Sequence, residues 1–269
     1  MRALSALPLD DDIVDRIMTF CPSFEALQST ILVSKAFYCV FQTHPKSITR
    51  AVAYNIVGPA LPQALRVVRY EYHDDDDLFR KAADLSPNEL AEKCPEDHTP
   101  SIITAEEKRK LQENSKIVDE LEDVYSFTQK DRTSRTSVLT PDESHRFRRA
   151  MYRIMLYTGI FRGDRYDIDQ LEELSDEDIK HIQAQRTAVL SEFPTDELRE
   201  IWAVVRFLRG VFEQTADGES TSESGISAFI RHLNTTAQPR SSSTSSSPPG
   251  LVAPWRLGTR AATRSSRTT

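Results

Sequence analysis

Cys94 and His98 stand four residues apart in C-P-E-D-H and are the chain's nearest approach to a metal-ligand pair. Thiolate sulfur and imidazole nitrogen both suit zinc. A structural zinc takes four ligands, however, and no second pair at suitable spacing lies nearby. The same two side chains would make a nucleophile and its base only with a third group to orient the imidazole, and nothing marks one. His73, followed by Asp74, Asp75, Asp76 and Asp77, offers oxygen donors for a hard cation. Calcium loops place their carboxylates at alternate positions and turn on a glycine, whereas four contiguous acids point in different directions. This run reads as a solvated acidic loop. Arg162-Gly163-Asp164 spells an adhesion tripeptide, but Gly163 at that place reads more simply as the C-cap of the helix before it. Trp202 lies among apolar residues at helical spacing, which is the pattern of a core rather than a ligand pocket. No G-x-S-x-G, Walker-type or G-x-G-x-x-G pattern occurs. The expectation is therefore a non-catalytic protein without metal or cofactor.

The elements that would position any site are helical. The chain has 269 residues, 39% of them hydrophobic and 28% charged, which is enough for one or two cores. Eight glycines disfavour turn-rich all-β folds, and no strand or hairpin signal appears. No apolar run approaches the roughly 20 residues that span a bilayer. A-L-S-A-L at the start is too short for a secretory signal and is interrupted by Pro8 and the aspartates. Cys21, Cys39 and Cys94 are too few and scattered for a disulfide framework, so an intracellular protein, cytoplasmic or nuclear, is expected. The formal charge of −7 includes five tail arginines (Arg240, Arg256, Arg260, Arg264 and Arg267), leaving about −12 on the rest. Such an acidic body argues against nucleic acid as a partner.

In L-P-L-D-D-D-I-V-D-R-I, the proline and the aspartates announce a helix start. Acids there complement the positive end of the helix dipole. Ile13, Val14, Ile17, Met18 and Cys21 then recur on one helical face, and Pro22 stops the run. Ser23 is placed to cap a second helix with Phe24, Leu27 and Ile31 on one side. Ser34 is placed to cap a third with Phe37, Val40 and Phe41 inward, and His44-Pro45 closes it. A fourth helix uses Ile48, Val52 and Ile56, and Gly58-Pro59 punctuates it. A-L-P-Q-A-L-R-V-V-R reads as a further turn or two.

Capping boxes recur further on, at Ser86/Glu89, Thr104/Glu107 and Thr140/Glu143, with a weaker version at Ser175/Asp178. The predicted stripes are Leu111, Val118, Leu121 and Tyr125; Phe147, Met151, Ile154 and Met155; Ile179, Ile182, Val189 and Phe193. The last runs through Leu198, Ile201, Trp202, Val205, Leu208 and Phe212. From Thr235 the Ser-, Thr- and Arg-rich segment lacks the apolar surface to offset its ordering entropy and is expected to be disordered.

Residues 5–45 carry a resemblance. Leu7-Pro8, then acids, Ile13-Val14, Ile17-Met18, a second helix with Leu27, Ile31 and Leu32, and a third beginning Ser34-Lys35-Ala36-Phe37-Tyr38 resemble the F-box. Leu7-Pro8 lies two residues further upstream than the family pattern, with Leu9-Asp10 as the other register. Phe37, Tyr38 and Phe41 stand where the family often has a tryptophan. The stretch from His44 to Arg69 and the R-R-A-M-Y-R-I-M-L-Y segment are similar to fungal proteins, many with F-box-like N-termini. The resemblance implies an all-α chain with an F-box-like unit at 5–45, an irregular helical domain at 46–233 that presents a target surface, and the tail at 234–269. It implies a substrate receptor that docks on a Skp-family adaptor of a ubiquitin ligase through Leu7, Pro8, Ile13, Val14, Ile17, Leu27, Ile31 and Phe37. The competing expectation is a helical interaction or scaffold protein whose N-terminal helices are covered by its own body.

Overall fold

A computed structural model describes residues 10–70, 96, 102–129, 138–161 and 175–216, without the side chains of 129 and 212–216. Every regular element among them is helical: α1 (Asp11–Thr19), α2 (Phe24–Ile31), α3 (Lys35–Thr43), α4 (Pro45–Val57), a single 3-10 turn (Gly58–Ala60) and α5 (Leu61–Arg69). These are followed by α6 (Ala105–Gln129), α7 (Pro141–Ile160), α8 (Asp176–Ser191) and α9 (Thr195–Ala216). The acidic run at 73–77, Cys94, His98, the Ser86/Glu89 box, the 162–164 tripeptide and the segment from 217 lie outside the described residues, as do Leu7 and Pro8.

The helix ends follow local chemistry. The Ser23 hydroxyl accepts from the Ala26 backbone N–H at 3.1 Å and so satisfies one orphan donor of α2. Thr140 and Glu143 make a reciprocal capping box, with Pro141 in the first turn, where its missing N–H costs nothing. Thr104 and Glu107 repeat the arrangement at α6. Ser175 accepts from the Asp178 N–H, giving the simpler cap. Ser34 and Asp10 occupy N-cap positions without a side-chain bond to the helix. Gly58 ends α4 at φ +78, ψ −158, a conformation that a side chain would strain.

Two apolar clusters hold the chain. The larger joins α4–α9, with Leu65, Leu111, Tyr152, Leu190 and Ile201 fully buried. Tyr125 stacks on Phe147 at 4.7 Å and meets Phe207 edge-on at 5.0 Å, tying α6, α7 and α9 at one point. The smaller gathers α1–α4 around Val14, Met18, Cys21, Leu27, Val40, Ile48 and Val52. Phe24 and Ile56 pack against both clusters, so α4 carries the first three helices on one side and the larger core on the other. Nine- and eight-residue helices are too short to persist alone, and burial of side chains such as Met18, at about 1.5–3 kcal/mol each, supplies what propensity lacks.

Candidate protein-interaction surface

The first helix has two apolar faces, and the molecule uses one of them. Val14 is 1% exposed, and Met18 and Cys21 are buried beside it. Ile13 is 50% exposed and Ile17 41%, and Phe20, at 76%, extends the same line at i, i+4, i+7. Exposed Asp11 and Asp12 flank this stripe at the amino end and Arg16 lies beside it. Leu32 (76%) and Val33 (70%) stand exposed where α2 passes into α3, and Tyr38 is exposed on α3. Single exposed apolar residues are ordinary; a row of three along one helix and its C-cap residue is a patch.

The orientation of α1 is set from outside the helix. Asn55 of α4 donates to the carbonyl of Thr19 and to that of Cys21, taking up acceptors that the end of a helix leaves unpaired. The Cys21 thiol lies 3.6 Å from the Ile17 carbonyl and from the Thr30 hydroxyl, joining the end of α1 to α2. His44, between α3 and α4, lies 3.4 Å from the Asp15 carboxylate.

The residues that the sequence singles out for partner contact are therefore sorted. Ile13 and Ile17 face outward. Val14 and Leu27 are buried in the N-terminal cluster. Their positions put them on the sides of α1 and α2 that meet the other N-terminal helices and α4. Ile31 and Phe37 are half-buried against the N-terminal cluster. Phe20 and Val33 were not among the sequence's candidates. Phe20 was findable as the next step of the Ile13–Ile17 line; Val33 had no periodic signal, being at a turn. Trp202 is half-buried against the large cluster, a core role. The Phe212 side chain is outside the described set.

Elsewhere the charged side chains serve the body. Arg153 is buried on α7; it donates to Glu197 at 2.7 Å and Glu96 at 3.0 Å, with Phe193 4.3 Å below its guanidinium. Buried Arg66 meets Glu192 through both terminal nitrogens, at 2.7 and 3.1 Å. Arg148 bridges Asp119 and Glu122. Burial pushes the Asp119 carboxyl above its ordinary value, against the pull of Arg148. Burial likewise pushes the Tyr152 and Tyr157 hydroxyls far up, which keeps both neutral. Among the described residues no three His, Cys, Asp or Glu side chains converge as a metal site, and no helix is long and apolar enough to cross a membrane.

No protein-family model, no curated protein and no solved structure matches the chain.

Proposed function

We propose that the chain is a non-catalytic receptor subunit of a Skp-cullin-F-box type ubiquitin ligase, working in the cytoplasm or nucleus. In this reading it docks on a Skp-family adaptor through the outer face of α1. One observation carries the reading: Ile13 and Ile17 stand in water on a helix whose opposite face is already anchored. Exposed β-branched side chains contribute nothing to the chain's own core, and helix-in-groove association would remove them from water. The three short helices with Leu32 and Val33 exposed at their second junction agree with the F-box-like order of the sequence. The remaining helices would hold a target near the ligase's charged enzyme, so that the chain contributes proximity and the partners supply the chemistry.

A second reading has its own observation. Phe24 and Ile56 pack against both clusters, and Asn55 fastens α1 to α4. A trio so attached to the body also suits a helical scaffold protein whose exposed stripe meets some other partner.

The deciding experiment mixes the purified full chain with a recombinant Skp-family adaptor and measures binding by calorimetry. The wild-type chain binds, and Ile13→Asp with Ile17→Asp weakens binding by at least about tenfold, the scale of losing interface anchors. A folded wild-type chain that shows no heat and no co-elution with the adaptor removes the receptor reading and leaves the scaffold.

A further inference from the structure

A second surface is lined by no residue of α1. Between α2 and α6 runs a groove of about 660 Å³, floored by Phe24, Leu27, Ile31 and Phe41. Its α6 wall carries Lys108, Gln112 and Lys116, at i, i+4 and i+8, one above another on the same side of the helix. The two lysine positions are thus separated by about 12 Å of helix rise, roughly two turns.

The charges around this groove are unequal in their freedom. Glu25 accepts from the Gln112 side-chain amide at both carboxylate oxygens, at 2.8 and 2.7 Å; the amide fixes the carboxylate without neutralising it and holds it below its ordinary value, so the lining carries three cations and two anions. Glu113 is taken by Arg109 at 2.7 Å. Lys108 and Lys116 remain. Lys108 is half-buried with its nitrogen 5.8 Å from the Phe24 ring centre, and burial holds its ammonium below its ordinary value. No carboxylate among the described residues pairs with it. Other part-buried cations differ: Arg66, Arg69, Arg148, Arg149 and Arg153 each meet at least one glutamate. A partly desolvated cation without a carboxylate partner, beside an apolar trough, is complementary to an acidic group from elsewhere.

We propose that the groove between α2 and α6 receives a short acidic amphipathic helix of a partner protein. Its apolar side rests on Phe24, Ile31 and Phe41, and its carboxylates meet Lys108 and Lys116. The two lysines match acids about seven or eight residues apart on such a helix, with apolar anchors between them at i, i+3 and i+4. Ile13, Ile17 and Phe20 of the exposed stripe do not line the groove, whereas Leu32 does.

The test is a selection from a displayed library of randomised 14-residue helical peptides on the immobilised full chain. Peptides enriched on the wild type carry paired Asp or Glu at that spacing around apolar anchors. Their affinity, read by fluorescence anisotropy, falls by about tenfold or more on Lys108→Glu with Lys116→Glu. Lys108→Met with Lys116→Met keeps the apolar stems, removes the charge and lowers affinity less; thermal melts confirm that both variants remain folded. Ile13→Asp with Ile17→Asp leaves peptide binding intact, which separates this surface from the adaptor contact. No enrichment, an enriched set without an acidic excess, or peptides that bind the Lys→Glu chain as well as the wild type overturns the proposal.

Discussion

The side-chain amide of Asn55 donates to the carbonyl oxygen of Thr19 at 2.7 Å, across thirty-six positions of sequence. A helix end leaves its last carbonyls without partners, and here a residue of α4 supplies one. The consequence is rotational. With its carboxyl end held to α4, α1 buries Val14 and Met18 and has no freedom to turn Ile13 and Ile17 inward.

Removing that tie loosens the first helix. Asn55→Ala gives up the bonds to Thr19 and Cys21 and lowers stability by about 1–2 kcal/mol in urea titrations, the ordinary worth of two hydrogen bonds. Hydrogen exchange reports where: the amides of α1 exchange faster while those of α7 are unchanged. Unaltered α1 protection would show that the core contacts alone orient the helix.

The two faces of α1 differ in what they tolerate. Ile13→Asp with Ile17→Asp replaces exposed groups and changes stability by no more than about 0.5 kcal/mol per site. Met18→Ala, from the buried side of the same helix, costs about 2–5 kcal/mol through lost burial and the cavity left behind. Equal losses in chemical denaturation would mean that the outer isoleucines are covered in solution.

Arg153 is a buried cation with two glutamate partners. Arg153→Ala leaves Glu96 and Glu197 facing each other's region without the guanidinium and empties the space over Phe193. The expected loss is about 3 kcal/mol, toward the lower end for a broken buried pair because both glutamates keep some solvent contact. Arg153→Met, which refills part of the volume, loses less if packing over Phe193 matters. Urea midpoints for the two variants decide it.

Acid weakens the start of α6. Burial raises the Glu107 carboxyl, but the Thr104 backbone N–H and the Arg69 guanidinium outweigh it, so the folded value lies below the ordinary 4.5. A depressed carboxylate contributes stability that is present above the unfolded value and is lost as the pH falls below it toward the folded one. Between neutrality and pH 5 the contribution is constant; below about 4.5 it declines. Glu107→Gln is less stable than wild type at pH 7 and closer to it at low pH, as measured by thermal melts across the range. A constant difference at every pH would mean that the charge plays no part.

At α7, Thr140→Ala breaks one arm of the capping box and costs about 1 kcal/mol. Ser34→Ala, at an N-cap without a side-chain bond, costs less. Paired denaturation curves test the contrast.

Helix positions were legible because their causes are local. Proline, serine or threonine caps and the 3.6-residue spacing of apolar side chains act within one or two turns. The Thr104/Glu107 and Thr140/Glu143 boxes appear in the structure at the predicted positions, as do the Leu111–Val118–Tyr125 and Phe147–Met151–Ile154 stripes. The same periodicity could not say how a stripe divides. Ile13, Val14, Ile17, Met18 and Cys21 form one broad apolar arc in the sequence; the position of α4 decides which members are covered. The groove between α2 and α6 had no signature at all, since Glu25 and Gln112 meet across eighty-seven positions.

Local propensity and periodicity thus determined that this chain is helical, and where its helices begin. Only tertiary packing decided which apolar residues stay in water and which charged side chains are paired. Both are properties of what a neighbouring element covers, and coverage depends on contacts between residues far apart in the chain.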